Sequence, residues 1–173
     1  GFGGHCVPID PYYLAWKARA AGVESRFIEL AGDVNRDMPR HVVHRCAAAL
    51  AESDLSLAGA DILVLKFAYK RNVADVRESP SFEIIELLRE AGSRVSYHDP
   101  HVQNTWPGRR HDLGMTSIEW SDDALASADA VIIATDHDWY DWTRIGQHAR
   151  LIIDTRNAMA RATEPPRARV VRA

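Results

Sequence analysis

Residues 130–157 read AVIIATDHDWYDWTRIGQHARLIIDTRN, and this stretch decides the expected fold. It opens with the apolar run 130–134 and closes with a second apolar run at 151–153, while 139–148 between them has the composition of a helix. Short, nearly all-apolar strands separated by helices are typical of strand–helix–strand units with parallel strands. The stretch therefore predicts a parallel sheet.

The same alternation extends back towards the middle of the chain. The further elements that it predicts are strands at 61–69 and 94–98 and helices at 81–91 and 123–127. The segment 100–117 contains Pro and Gly and is expected to form a loop. The tail after Arg156 is rich in Arg, Ala and Pro, and we expect it to be a solvated end.

The first 56 residues are expected to be helical instead. Asp10 and Pro11 have the residue types of an N-cap and a first helical position, and Gly22 is a stop signal. An apolar stripe at three- or four-residue spacing indicates a second, longer helix: Phe27, Leu30, Val34, Met38, Val42, Cys46 and Ala49. Pro39 interrupts this helix, so we expect a kink or break there, with the stripe buried against a partner on both sides.

These patterns predict an α/β fold in two parts. A helical dimerisation segment, 1–56, is followed by a Rossmann-like parallel-sheet domain, 57–173. Long helices with one apolar stripe often pack against a second subunit, so we expect a homodimer or higher homo-oligomer through Phe27–Ala51. Cys46 lies on the stripe and is expected to be a core residue.

Composition excludes several classes of protein. The chain has 173 residues, 46% hydrophobic and 26% charged, and a net charge of -3, values that favour a folded globular protein over a disordered or fibrous one. No global basic field is present to hold nucleic acid, and no apolar run approaches the ~20 residues of a membrane span. Two cysteines form no disulfide framework, so a reducing, cytoplasmic location is expected.

The polar residues that follow the predicted strands point to a ligand site. Lys70 follows the first strand, Thr135-Asp136-His137 follows another, and Asp154-Thr155-Arg156 follows the last. Ligands of open parallel sheets bind beyond the carboxyl ends of the strands, so an anionic ligand such as a nucleotide is expected here. The glycines after residue 61 are isolated, so the sequence offers no glycine-rich loop to bind the phosphates of a nucleotide. Side chains such as Lys70, Arg77 and Arg156 would have to bind them instead.

A metal site is the weaker interpretation of the same region. Asp136, His137, Asp138 and Asp141 are ligand types, but neighbours in sequence rarely converge on one ion. We predict no metal site and interpret these residues as a loop that shapes the nucleotide pocket.

The N-terminal stretch Gly1-Phe2-Gly3-Gly4-His5-Cys6 is a candidate for covalent chemistry. A lone cysteine is more often a small buried residue. Cys6, however, follows two glycines and precedes a helix start, where the positive end of the helix favours the thiolate nucleophile. This setting, with Asp10 four residues on, favours a nucleophilic role for Cys6.

Five motifs resemble signatures of the UDP-glucose/GDP-mannose dehydrogenase family. They are residues 1–11 (GFGGHCVPIDP), 68–80 (AYKRNVADVRESP), 97–100 (YHDP), 135–137 (TDH) and 154–157 (DTRN). They occur in the family's order and extend over nearly the whole chain. Residues around Cys6 and through Ala18 are most similar to those of UDP-N-acetylglucosamine 6-dehydrogenases.

The resemblance implies an activity and roles for individual residues. The family oxidises the C6 alcohol of a nucleotide sugar to the uronic acid with two NAD, through a cysteine thiohemiacetal and thioester. It implies that Cys6 is the nucleophile and that Asp10 positions water, although Asp10 could also be a plain helix cap. The other implied roles are substrate binding by Phe2, Gly3, Lys70 and Arg156, and binding of the cofactor's phosphates by Arg77.

Two departures from the family pattern limit this interpretation. Lys66 replaces a glycine that family members usually carry, and a charge there must find a partner or reach solvent. The chain also begins within the cysteine motif, so we expect that the NAD-binding domain is absent and that most of the NAD site lies outside this chain. The isolated chain is then expected not to reduce NAD. The alternative is a catalytically inactive UDP-sugar-binding and dimerisation fragment.

Overall fold

The computed structural model describes residues 1–105 and 113–173, and its centre is a parallel sheet. The strands are β1 (Asp61–Leu65), β2 (Arg94–His98), β3 (Ala130–Ile133), β4 (Leu151–Asp154) and β5 (Arg169–Arg172). Their order across the sheet is β2-β1-β3-β4-β5, and all neighbours pair in parallel. The predicted α/β fold with a Rossmann-like parallel sheet is confirmed.

Five α-helices accompany the strands in the described part of the chain. They are α1 (Asp10–Ala20), α2 (Arg26–Ala51), α3 (Pro80–Glu90), α4 (Asp122–Ser127) and α5 (Trp142–His148). The side chains of Ser79, Ser121 and Asp141 cap α3, α4 and α5 by accepting backbone N–H groups. The cap at Asp141 explains why α5 begins three residues after the expected start. In the ranges that the structure describes, no helix is both long and apolar enough to cross a bilayer.

In the helical part, the expected N-cap was wrong, and of the kink or break expected at Pro39 the break does not occur. Asp10 is not a capping residue: the cap position falls on Ile9 and no side chain caps α1, because the Cys6 carbonyl closes this turn by accepting the N–H groups of Ile9 and Asp10. Helix α2 is not broken either, and runs through Pro39 as one element. The cost of the missing N–H is offset by burial of the Pro39 ring and of the helix that follows.

The sheet is covered on both faces. One core cluster combines Val42, Cys46, Ala49 and Leu50 of α2 with α3 and one face of the strands. A second cluster packs α4, α5 and the short 3₁₀ helix Ala158–Arg161 on the opposite face. Cys46 is completely buried, as predicted for a core residue, and burial raises the pKa of its thiol to about 12.

Only the C-terminal half of the apolar stripe on α2 is covered within the chain. Val42 and Cys46 are buried, whereas Phe27 is 89% exposed and Leu30 and Val34 are more than half exposed. Within a single chain, the apolar stripe is therefore buried only on the C-terminal side of Pro39. The first four turns of α2 present an open apolar face.

The C-terminal tail is not a solvated end. Residues 169–172 form β5, which pairs with β4 in parallel. The Arg169 guanidinium donates to the Ala49 carbonyl at 3.1 Å and pairs with Glu52 at 2.6 Å, so the tail also binds the end of α2. The expected loop at 100–117 lies partly outside the described residues (106–112), and an antiparallel bridge between Asn104 and Thr116 closes its described part.

Candidate nucleotide site at the strand ends

The strand order creates a crevice between β1 and β3. The chain leaves β1 towards β2 on one side, whereas β3 is followed by β4 on the other side. A reversal of this kind opens a cleft outside the carboxyl ends of the two central strands, where open α/β sheets bind their ligands. The loops after β1 and β3 are therefore the first place to seek a site.

These two loops are joined across the crevice. The Thr135 hydroxyl donates to the Ala68 carbonyl at 3.2 Å. The Asn72 backbone N–H donates to His137 Nδ1 at 2.8 Å, and the Asn72 amide bonds both the carboxylate and the N–H of Asp138. These bonds on either side of Lys70 and Arg71 hold the loop after β1 against the loop after β3.

Asp99, which follows β2, holds the start of the loop after β1. Its carboxylate accepts the N–H groups of Phe67 and Ala68 at 2.8 and 3.1 Å, and that of His101 at 2.8 Å. His137 Nε2 lies 3.3 Å from the same carboxylate. Burial alone would raise the pKa of Asp99, but the close approach of the His137 ring and the three backbone hydrogen bonds outweigh it and lower the pKa to about 2.

Asp154 performs the same task after β4. Its carboxylate accepts the N–H groups of Arg156, Ala158 and Met159 at 2.9 to 3.1 Å. Asn157 adopts a left-handed conformation with φ of 55° inside this turn. The turn therefore carries the Arg156 side chain back towards the loop after β3.

Three arginines converge on Asp136 in the loop after β3. Arg71 forms a short ion pair with its carboxylate, Arg161 Nη1 lies 3.1 Å from it, and Arg156 Nε lies 3.6 Å from it. The acidic residues weighed as metal ligands are thus engaged otherwise, since Asp138 pairs with Arg161 and Asp141 caps α5. The crevice is bordered by guanidinium groups, the donors that match phosphate oxygens best.

Lys66 lies beneath this cluster at the end of β1. It is completely buried, and its φ of 76° lies in the left-handed region that favours glycine. Within the described residues, Nζ has no hydrogen-bond partner. Burial lowers the pKa of Lys66 to about 8, against the opposing charges of Asp99 and Asp136.

The cysteine loop docks on the loop after β1. The Gly4 N–H donates to the Arg77 carbonyl at 3.0 Å, and Gly4, with φ of 91°, packs on the Tyr69 ring, where an added Cβ would lie 2.7 Å from a ring carbon. Asn35 of α2 bonds both backbone groups of Phe2. Burial, and then the nearby charge of Arg156, lower the pKa of the Gly1 amino group. One end of the chain therefore lies close to two strand-end loops.

The structure places the two predicted catalytic residues at the start of α1. Cys6 is exposed, and its carbonyl accepts the Asp10 N–H at 2.8 Å. Arg77 lies close enough to Cys6 to interact electrostatically, but its guanidinium is held by Asp75, with contacts of 2.6 to 3.0 Å. The turn after β1 holds Lys66 and is not rich in glycine, so the described residues form no glycine-rich dinucleotide cradle there.

The predicted substrate-binding residues are only partly brought together. Gly3 is buried against Tyr69 and the Glu78 carbonyl, and Lys70 is exposed at the crevice. Phe2 lines a separate cavity of about 720 Å³ between α1, α2 and the start of α3, a cavity that Lys70 and Arg156 do not line.

The sequence did not reveal what several residues of the site do. Asp99 and Asp154 order the loops, Asn72 joins them, and Arg71 and Arg161 add cations at Asp136. Asp99 stands directly after β2 and Asp154 is the last residue of β4, and these positions were the available signal. The sequence gave no such signal for Arg161, because its contact with Asp136 depends on the turn that Asp154 stabilises.

Together, the parallel sheet, the crevice at its strand reversal and the cationic border define a nucleotide-binding α/β domain to which a cysteine loop is docked. The family is established by sequence profiles. Residues 63–161 match the UDP binding domain of the UDP-glucose/GDP-mannose dehydrogenase family, and residues 1–37 match its central domain. The chain belongs to this family.

Individual relatives agree with the profiles. The chain is 35% identical to a UDP-N-acetyl-D-mannosamine dehydrogenase of Pyrococcus horikoshii over 96% of its own length and 37% of that protein. It is 27% identical to a UDP-N-acetyl-D-glucosamine 6-dehydrogenase of Salmonella typhi, over 78% and 31% of the two chains. The solved structure of a UDP-D-ManNAc dehydrogenase from P. horikoshii superposes with a TM-score of 0.79 at 29% identity, over 99% of this chain and 38% of that one. The chain thus spans less than two fifths of the length of these relatives.

Proposed function

We propose that this chain is the UDP-sugar-binding and cysteine-bearing part of a nucleotide-sugar 6-dehydrogenase. Residues 57–173 would bind the nucleotide at the crevice, and residues 1–56 would supply the cysteine loop and the subunit contact. The observation that carries the proposal is the hydrogen bond from Gly4 to the Arg77 carbonyl, because it joins the cysteine loop to the loop after β1. A nucleophile and a group of phosphate-binding cations then share one site.

The chain's own chemistry would take place at the Cys6 sulfur. The thiolate adds to the C6 aldehyde of the sugar as a thiohemiacetal, and after oxidation to the thioester, water cleaves the C–S bond and restores the thiol. Exposure of Cys6 allows the sugar to reach it, and Asp10, one helical turn away, would orient the water. The two oxidations need a hydride acceptor, and NAD, expected to bind mainly outside this chain, would supply that chemistry.

The sugar is proposed to be a UDP-2-acetamidohexose. The sequence favours UDP-N-acetylglucosamine, and this stays a prediction. The P. horikoshii relative, which has the higher identity, is named for the mannosamine epimer instead. Comparing turnover of the two epimers by a full-length protein would distinguish them.

A second copy of the chain is the proposed partner of α2. Phe27, Leu30 and Val34 form an exposed apolar face on its first half. An apolar helical face of this kind is what a subunit interface buries.

Binding of UDP tests the proposed nucleotide site directly. We expect UDP to bind the chain and Arg156→Ala to weaken it by about tenfold or more, because a guanidinium–phosphate contact is charge-assisted. Isothermal titration calorimetry measures both affinities. Arg26→Ala, at an exposed arginine of α2, is the control and should not change them. Equal affinity of wild type and Arg156→Ala would contradict the site.

A further inference from the structure

Lys66 is a buried cationic side chain of this site that forms no ion pair or hydrogen bond with the described residues. It has no exposed surface, and Nζ has no hydrogen-bond partner among the described residues. Its backbone also holds a conformation that costs a non-glycine residue of the order of 1 kcal/mol. Burying an unpaired ammonium group costs free energy of folding. Binding of an anion close to Lys66 would offset that cost.

The acidic groups around Lys66 are already in use. Asp99 is occupied by backbone N–H groups and His137, and Asp136 by three arginines. His137 is a neutral neighbour, because its Nδ1 accepts the Asn72 N–H and burial lowers its pKa. The remaining charges that face Lys66 are the cations Arg71 and Arg156.

The charge count around the crevice is therefore unbalanced. Five cationic side chains meet four carboxylates there. The cations are Lys66, Lys70, Arg71, Arg156 and Arg161, and the carboxylates are Asp99, Asp136, Asp138 and Asp154. Lys66 has no exposed surface, so water screens its charge only weakly, whereas the three arginines are 39 to 47% exposed. An anion that enters the crevice would restore the balance.

We propose that Lys66 is a specificity-determining residue of this crevice, and that its ammonium group strengthens the binding of the nucleotide's phosphates from below. This inference rests on the proposed function, because it takes a nucleotide sugar as the ligand. In this role Lys66 attracts the phosphates electrostatically from its buried position. The affinity gained should depend on the phosphates and not on the nucleoside.

Binding should also change the protonation of Lys66. Near pH 8 the unliganded amine is only partly protonated, since its pKa is about 8. A phosphate nearby favours the charged form, so binding should take up roughly half a proton per ligand at pH 8 and almost none at pH 6. The phosphates of a UDP-sugar do not titrate between pH 6 and pH 8. A proton that is taken up on binding would therefore be bound by the protein and not by the ligand.

The experiment is calorimetric titration of the chain with UDP-N-acetylglucosamine in buffers of different ionisation enthalpy. Lys66→Met removes the charge at similar volume, and Lys66→Gly removes it while fitting the backbone conformation. We expect both variants to bind about tenfold more weakly and to lose the proton uptake at pH 8. Lys17→Met, at an exposed lysine of α1, is the matched control and should behave as wild type.

Uridine, which has no phosphate, is the second ligand. Its affinity should be the same for wild type and both Lys66 variants, and circular dichroism verifies that each variant is folded. If wild type binds the UDP-sugar without proton uptake, or the folded variants bind it as tightly as wild type, the inference is overturned and the proposed function stands. If wild type does not bind the UDP-sugar, both are overturned.

Discussion

Asp99 connects the acid stability of this protein to the geometry of its site. The carboxylate accepts three backbone N–H groups and faces His137, and only the ionised form can accept all of these hydrogen bonds. Its pKa falls from 3.8 to about 2 in the folded chain. The unfolded chain therefore binds the proton more readily, and acid shifts the equilibrium towards unfolding.

Asp99→Asn should remove this contribution. We expect Asp99 to stabilise the fold by about 2 kcal/mol above pH 4 and to lose that contribution as the pH falls from 4 to 2. Urea unfolding at a series of pH values measures it as the difference between wild type and Asp99→Asn. Asp123→Asn, at an exposed carboxylate of α4, is the control. If the difference in unfolding free energy between wild type and Asp99→Asn is the same at pH 5 and pH 2, hydrogen bonding to the ionised carboxylate does not cause the stabilisation.

At the residue level, sequence motifs predicted which cations lie at the strand ends but not what holds them. Lys70 and Arg156 were selected because each follows a strand, and the structure places both at that edge. The roles of Asp99 and Asp154 depend on which backbone N–H groups point at them, and these directions come from turns in three dimensions. Lys66 was noticed only as a replacement for glycine, and its positive φ supplies the physical reason that glycine suits the position.

Among the elements, those with a clear pattern were predicted and one without such a pattern was missed. The apolar runs of β3 and β4 and the stripe on α3 specify strand and helix by their spacing. Strand β5 has only Val170 and Val171 between two arginines, in a tail with two prolines. Its conformation is set by the open edge of β4, a long-range pairing that local composition does not reveal.

Removal of β5 tests whether this tail is part of the folded unit. A chain that ends at Ala168 loses the pairing with β4 and the contacts of Arg169 with α2. We expect a loss of about 3 kcal/mol and a melting temperature lower by roughly 10 °C. Differential scanning calorimetry measures the change, with Arg167→Ala, at an exposed side chain, as control. An unchanged melting temperature would mean that the tail is dispensable, as the sequence had suggested.

For the whole molecule, the open face of α2 is the main feature that one chain does not complete. The stripe was visible in the sequence, but its division into a buried half and an exposed half was not, because this depends on where α3 and the sheet end. The proposed subunit contact would cover the exposed half.

Phe27→Glu is expected to weaken self-association by at least about tenfold, because it places a charge in an apolar contact. Sedimentation equilibrium over a range of concentrations measures the association. Arg40→Ala, at an exposed polar position of the same helix, should associate like wild type. A wild-type chain that stays monomeric at every concentration would contradict the proposed contact.

The joining of the loops after β1 and β3 has a consequence for how the protein matures. The hydrogen bonds from Thr135 to Ala68 and from Asn72 to His137 connect residues 67 and 65 positions apart. Closing such long loops is entropically costly and depends on β1 and β3 having paired first. We therefore expect the crevice to form late in folding. A nucleotide that bound there would bind only folded chains and would protect them from unfolding, so the proposed ligand would lengthen the lifetime of the protein as well as take part in its chemistry.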